Sequence, residues 1–185
     1  EPFLRFAAGC DACKKALYGF ELGNELDTHV YHNCDGVEPE ALGADMQALA
    51  NLNAKLFSAW SPAARPKHAG PDIAAFTGTT AMPDEDAATG SNYFSRYLNA
   101  TTPGTLSAMT FHQYTYCDRG SDIPGLDTVI DLDCLARLKA AGTSLKQVSN
   151  AYDRSLELWV GESSNEWTGG LPNRSDVFFD GFCCG

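Results

Sequence analysis

Hydrophobic and polar positions along this chain form two alternating kinds of segment. Short runs of aromatic and β-branched residues favour buried strands, and longer stretches with apolar residues three and four positions apart favour helices. Strands are predicted at 17–23, near Lys67–Ile73, at Leu106–Phe111 and at Leu156–Val160. Helices are predicted at 3–16, about 39–60, about 91–99 and about 127–151, with an interruption near Gly142, and a last helix starts at about Ser175.

The order of these elements predicts an α/β fold. Strand and helix alternate four times without amphipathic hairpins, which is typical of a parallel sheet covered by helices. A (β/α)8 TIM barrel and an open doubly wound sheet both place functional groups at the carboxyl ends of their strands. Four units are half of an eightfold barrel. We therefore expect residues 1–185 to form one partial barrel with two unpaired edges.

Candidate chemistry lies at the ends of the predicted strands. Glu25 closes the tripeptide Gly-Asn-Glu after the first strand, and Glu162 follows the last one. Asp72, His112 and Tyr114 hold the corresponding places after the two strands between them. Two glutamates facing one cleft are what a retaining glycosidase needs, because one protonates the leaving oxygen and the other attacks the sugar carbon.

The glutamates have alternative interpretations. The ordinary interpretation of Glu25 and of Glu162 is a solvated carboxylate at the end of a strand. A general acid has to hold a proton near neutral pH, which partial burial beside a second carboxylate favours. Glu21 shares the strand parity of Glu25 and is a second candidate for the acid, although a buried structural carboxylate is its more usual role. The catalytic interpretation predicts a separation of about 5–5.5 Å, retention of configuration and a covalent glycosyl-enzyme.

Other side chains are candidates for lining the cleft. His112 and Tyr114 lie two positions apart on one face of an extended segment. We predict a cleft-lining hydrogen-bonding role for His112, whose alternative is a satisfied structural histidine. Trp167, in a glycine-rich loop, is a candidate to stack on a sugar ring, whereas Trp159 and Phe111 are predicted to belong to the core.

Charge and length narrow the class of partner. The net charge is −11, so nucleic acids and anionic membranes are poor candidates. The sequence contains no stretch of 18 apolar residues, so no membrane span is predicted. Glu1-Pro2-Phe3 resembles an internal start, as in a cleaved product or part of a longer chain. Other segments or chains are then expected to complete the barrel.

Seven cysteines and two glycosylation sequons favour a secreted, extracellular or luminal protein with disulfides. The sequons begin at Asn99 and Asn173. Cys10-x-x-Cys13 is expected to be structural rather than a redox pair, because no thioredoxin-like context follows. A Cys34–Cys117 bridge is one plausible further pairing. His29-x-x-His32-x-Cys34 lacks a fourth ligand at a workable distance, so we predict no metal and no cofactor.

Four blocks of the chain resemble glycoside hydrolase family 79, the heparanase and β-glucuronidase group. The blocks are Tyr18-Gly19-Phe20-Glu21-Leu22-Gly23-Asn24-Glu25, Gly70-Pro71-Asp72, Thr110-Phe111-His112-Gln113-Tyr114 and Leu158-Trp159-Val160-Gly161-Glu162. Gly169-Gly170-Leu171-Pro172 followed by Ser175-Asp176 continues the resemblance. The chain departs from the family pattern at Thr168, where a third glycine is common, and at Gln113, where mammalian heparanases have a second histidine.

The resemblance implies a (β/α)8 barrel with an appended β-sandwich, of which this chain covers strands four to seven. It implies Glu25 as general acid/base and Glu162 as nucleophile. It also implies that Asn24 hydrogen-bonds the sugar 2-hydroxyl and that Tyr114 orients or supports Glu162. Backbone N–H groups of the pair Gly169-Gly170 are then expected to hold the substrate carboxylate.

The function predicted from these features is a secreted, retaining hydrolase of β-glucuronide linkages in a polysaccharide or glycoconjugate. The acidic balance favours a lightly charged glucuronide or cell-wall polysaccharide over a highly sulfated one. The alternative is a non-catalytic barrel glycoprotein that serves as a structural or carbohydrate-binding part of an extracellular assembly. Retention of both Glu25 and Glu162 favours the enzyme.

Overall fold

The computed structural model describes residues 1–27, 37–74, 92–114 and 132–164. Nine helices and strands lie in these ranges, together with a short 3-10 turn at Pro62–Ala64. In chain order they are α1 (Pro2–Ala8), α2 (Asp11–Ala16), β1 (Gly19–Glu21), α3 (Pro39–Leu56), β2 (Lys67–Ile73), α4 (92–99), β3 (Ala108–Tyr114), α5 (Leu132–Tyr152) and β4 (Glu157–Ser164).

The four strands form one parallel sheet in the order β1-β2-β3-β4. Glu21 is in register with Ala69, Ala69 with Ala108, and Ala108 with Glu157. Neighbouring parallel strands need a crossover connection, and α3, α4 and α5 lie in the three connections. The predicted α/β fold with a helix-covered parallel sheet is therefore confirmed. The arrangement is consistent with half of a (β/α)8 barrel, and closure of the barrel remains a prediction.

The hydrophobic core lies between the helices and one face of the sheet. Met109 and Phe111 of β3 are buried there against Met46 of α3, Tyr97 of α4 and Leu145 of α5. Side chains alternate between the two faces of a strand. Thr110, His112 and Tyr114 consequently project to the opposite face, which carries the candidate chemistry.

The N-terminal segment differs from its predicted form. Instead of one helix over 3–16, α1 ends at Ala8 and α2 begins after Cys10, whose Sγ accepts the backbone N–H of Cys13. Cys10 and Cys13 form a disulfide across this junction. A new N-cap and a covalent clamp at the same point explain why the helical pattern does not continue.

Several other predicted boundaries are wrong. β1 has three residues rather than seven, since it pairs with β2 only over Gly19–Glu21. Helix α3 ends at Leu56 rather than about residue 60, and α5 passes through Gly142 without interruption. The strands β3 and β4 extend three and four residues beyond their predicted ends, because β3–β4 pairing continues past a bulge at Phe111/His112.

None of the helices in the described part of the chain is long and apolar enough to span a bilayer.

Candidate active site

Four polar side chains from four different places in the chain meet at the carboxyl edge of the sheet. Glu25 follows β1, Asp72 lies near the end of β2, His112 near the end of β3, and Glu162 near the end of β4. In a parallel sheet these ends lie at one edge, so distant residues converge there. The bulge at Phe111/His112 sets His112 opposite Glu162 rather than opposite Gly161.

A tight backbone turn brings Glu25 to this edge. Gly23 has a φ of 122°, and a Cβ at that position would overlap the carbonyl oxygen of Pro71. Glu25 has a φ of 52° and Asp72 a φ of 57°. The N–H of Glu25 donates to the carbonyl of Asp72 at 2.7 Å, which joins the two turns. Left-handed backbone is unfavourable for residues with a side chain and clusters at functional sites.

His112 lies at the centre of the cluster and is fully buried. Its Nδ1 is 2.7 Å from Oε1 of Glu25 and 3.6 Å from Oε2 of Glu162. Its Nε2 is 2.9 Å from Oδ2 of Asp72. The Asp72 contact is close enough for an ion pair but does not meet the geometry of a hydrogen bond, since Nε2 has no hydrogen-bond partner among the described residues.

The charge of His112 follows from these contacts. Burial lowers the pKa of a histidine, but the carboxylates of Asp72, Glu25 and Glu162 outweigh it and raise the pKa of His112 to about 9. The ring is therefore an imidazolium at neutral pH, and it neutralises part of the negative charge of the cluster.

Tyr114 connects β3 to the second glutamate. Its hydroxyl donates to Oε2 of Glu162 at 2.6 Å. Burial first, and then the hydrogen bond to Glu162, raise the pKa of Tyr114 above its usual value. The phenol thus keeps its proton and acts as a donor to the carboxylate.

The two glutamates lie across a gap that suits one sugar bond. One carboxylate oxygen of Glu25 and one of Glu162 are within 4.8 Å of each other and of a ring nitrogen of His112. Glu25 is 13% exposed and Glu162 is 49% exposed, so one is sheltered and the other is open to solvent.

The remaining predicted residues divide into four groups. Asn24 is exposed beside Glu25, at the same end of the sheet. Glu21 is exposed, so the expectation of a buried structural carboxylate is wrong. Phe111 is in the core as predicted, whereas Trp159 is only half-buried and stacks at 6.0 Å on the ring of Tyr18. Predictions for Trp167, Gly169, Gly170, Asn173 and the Cys34–Cys117 pair concern positions outside the described residues.

Sequence reasoning noted Asp72 at a strand end but assigned it no role. Its partner His112 lies 40 positions later on the neighbouring strand, and only the register of the sheet brings the two together. The available signal was the Gly-Pro-Asp tripeptide, which ends in a residue type that adopts positive φ more readily than most.

Glu25, His112 and Glu162 also have the donor types of a metal site. Nδ1 and Nε2 of His112 lie 2.7 and 2.9 Å from carboxylate oxygens, and a ring with a proton on each nitrogen has no lone pair to give a metal. The arrangement is that of an imidazolium among anions, and we assign no metal to it.

Gly161 illustrates how closely the site is packed. A Cβ at this position would overlap Oδ1 of Asp72. We expect Gly161→Ala to lower the free energy of unfolding by about 1–3 kcal/mol, because the carboxylate of Asp72 would have to move out of its place beside His112. The matched control is Gly142→Ala in α5, where the new methyl group would meet Leu158 at an ordinary 4.0 Å.

The control substitution should raise stability by about 0.5–1 kcal/mol, because alanine favours a helix interior. Thermal and denaturant unfolding of both variants measure the two effects. Equal stability of the Gly161→Ala variant and the wild type would contradict the close approach of Gly161 and Asp72.

Comparison with known proteins identifies the family of this chain. Residues 3–184 match the family model described as glycosyl hydrolase family 79, N-terminal domain. The chain belongs to glycosyl hydrolase family 79. It is also 25% identical over 178 residues to a hyaluronoglucuronidase of Hirudo nipponia. The match covers 92% of this chain but 31% of that protein, so the chain spans about a third of the length of this relative.

Proposed function

We propose that this chain supplies the catalytic residues of a retaining glycoside hydrolase that cleaves β-glucuronide linkages. The observation that carries the proposal is the pair Glu25 and Glu162, whose carboxylate oxygens approach within 4.8 Å at the carboxyl edge of a parallel sheet. Membership of family 79 supports the same reaction class.

The two glutamates have environments that suit different tasks. Glu162 is half-exposed and accepts a hydrogen bond from Tyr114, which holds its carboxylate in one orientation. It attacks the anomeric carbon and forms a glycosyl-enzyme ester. Glu25 is sheltered and hydrogen-bonded to His112, and it gives a proton to the departing glycosidic oxygen. Glu25 then takes a proton from the water that hydrolyses the ester.

The substrate class is proposed from the relative and from charge. The Hirudo nipponia protein is named a hyaluronoglucuronidase, which supports a glucuronide-containing polysaccharide or glycoconjugate as substrate. The net charge of −11 disfavours a heavily sulfated chain. Asn24 is proposed to bond a sugar hydroxyl, and Trp167, Gly169 and Gly170 are proposed to complete the subsite. Secretion and glycosylation at Asn99 and Asn173 remain predictions.

A scaffold without activity is a weaker candidate. Three carboxylates gathered around a buried imidazole have a large desolvation cost. A structural or carbohydrate-binding barrel has no need of that cluster, whereas acid–base and nucleophilic chemistry does.

The stereochemical course of hydrolysis tests the proposal. We expect the full-length protein to release β-glucuronic acid first from 4-nitrophenyl β-D-glucuronide, as followed by proton NMR of the anomeric signal. Initial release of the α-anomer would contradict the double-displacement mechanism. Absence of hydrolysis of both this compound and a glucuronide-containing oligosaccharide would contradict the proposed activity.

A further inference from the structure

We propose that Asp72 is a positioning residue for the acid–base chemistry of Glu25, and that it acts through His112. The inference rests on the proposed function and adds to it a third carboxylate, which lies against His112. Asp72 reaches Glu25 along two routes, one through the backbone and one through the imidazole ring.

The orientation of the imidazole supports two N–H groups on His112. Nδ1 faces Glu25 and Nε2 faces Asp72, at 2.7 and 2.9 Å. A neutral imidazole carries one N–H and one lone pair, so one of these contacts would set a lone pair against a carboxylate oxygen. The doubly protonated ring removes that repulsion. The negative charge of Asp72 beside Nε2 therefore favours a ring that carries a proton on each nitrogen.

The position of Asp72 is specified by its surroundings. Its side chain is 9% exposed, its backbone has a φ of 57°, and its carbonyl accepts the N–H of Glu25. Its Oδ1 lies against Gly161 and has no hydrogen-bond partner among the described residues. A buried carboxylate with so little compensation is costly as a purely structural element.

The titratable groups that face His112 come from three elements. They are Glu25 from the turn after β1, Asp72 from β2 and Glu162 from β4. On β3 itself, Tyr114 bonds to Glu162. All three groups facing the ring are carboxylates, and the charge of the ring depends on their sum.

In the proposed relay a proton moves between His112 and Glu25. The imidazolium transfers the proton on Nδ1 to Oε1 of Glu25, which leaves a neutral ring with its remaining N–H on Nε2, the nitrogen beside Asp72. Glu25 is then the carboxylic acid that protonates the glycosidic oxygen as the bond to the anomeric carbon breaks. In the second half-reaction Glu25 takes a proton from the attacking water and can return it to Nδ1. Asp72 fixes the tautomer in which Nδ1 is the atom that exchanges.

The test is Asp72→Asn in the full-length protein, with kcat/KM measured on two substrates. Asparagine keeps the size of the side chain and tolerates the left-handed backbone, so this variant removes mainly the charge. Phenyl β-D-glucuronide has a leaving group that needs protonation, whereas 2,4-dinitrophenyl β-D-glucuronide has one that does not. The matched control is Asp45→Asn, an exposed aspartate on α3.

We expect kcat/KM on the phenyl substrate to fall about 10- to 100-fold, a part of the 10²–10⁴-fold supplied by general acid catalysis. The value on the dinitrophenyl substrate should change less than about 3-fold, and the alkaline limb of the pH profile should move to lower pH. An equal fall on both substrates, or no fall on either, would overturn the role of Asp72.

A readout independent of activity separates this inference from the proposed function. In protein with ¹⁵N-labelled histidine, both ring nitrogens of His112 should carry protons at pH 8 in the wild type, and one should lose its proton in Asp72→Asn. The His112→Gln variant assigns the signals. An unchanged His112 titration in Asp72→Asn would refute the inference even if the protein hydrolyses glucuronides. If the NMR change is seen but the protein hydrolyses no glucuronide, the pairing of Asp72 with His112 stands and the proposed function is rejected.

Discussion

Replacing Glu162 by glutamine should lower kcat on 4-nitrophenyl β-D-glucuronide by about 10⁴-fold or more. The amide keeps the size of the side chain and can still contact Tyr114, but it cannot form the glycosyl ester. Removal of a nucleophile commonly costs this much, and the residual rate comes from binding and from the remaining groups of the site. The loss should appear in kcat and in kcat/KM together, on activated and unactivated substrates alike.

Glu157→Gln is the matched control for this variant. Glu157 lies on the same strand as Glu162, is also exposed, and bonds to Trp159 rather than to the cluster. Its replacement should change kcat less than about 3-fold. Turnover of Glu162→Gln above a hundredth of the wild-type rate would exclude Glu162 as the nucleophile.

Replacing Glu25 by glutamine should have a different signature. On phenyl β-D-glucuronide we expect kcat/KM to fall about 10²–10⁴-fold, because the leaving oxygen departs without a proton. On 2,4-dinitrophenyl β-D-glucuronide kcat/KM should stay near the wild-type value. Hydrolysis of the glycosyl-enzyme should be slow, and sodium azide should accelerate turnover and yield β-glucuronosyl azide, since azide attacks the ester without a general base.

Glu21→Gln tests the competing assignment of the acid. Glu21 is exposed on β1 and lies four positions before Glu25. Its replacement should leave the dependence on leaving group unchanged and should show no azide acceleration. Azide rescue of Glu21→Gln, with a normal Glu25→Gln variant, would transfer the role of acid to Glu21.

The parallel sheet and the convergence of Glu25 with Glu162 were predictable from sequence because both depend on short-range patterns. Alternating strand and helix segments imply a parallel sheet, and a parallel sheet brings its carboxyl ends to one edge. The polar residues that follow strand-forming runs therefore had to meet, whatever the lengths of the intervening helices.

The internal contacts of the site were not predictable in the same way. Register and bulges decide which side chains touch, and a shift of one residue moves a side chain to the other face. The bulge beside His112 places that ring opposite Glu162, and positive φ at Asp72 turns its carboxylate to the same ring. Neither feature has a signature in hydrophobic periodicity.

Predicted helix and strand boundaries were wrong where a local cap or disulfide overrides the hydrophobic pattern. The helix predicted over 3–16 is divided by the Cys10 cap and the Cys10–Cys13 disulfide. Glu21 was expected to be buried because of its place in a strand, but its side chain is exposed among the described residues.

The most direct measurement is covalent trapping of the full-length protein with a 2-deoxy-2-fluoro-β-D-glucuronyl fluoride, followed by peptide mass spectrometry. The fluorine slows hydrolysis of the glycosyl-enzyme, so a retaining enzyme accumulates it. We predict one fluoroglucuronyl group on the peptide that contains Glu162, and none in Glu162→Gln. A label on Glu25 or Glu21, or an unlabelled protein that nevertheless hydrolyses glucuronides, would contradict the assignment of Glu162 as nucleophile.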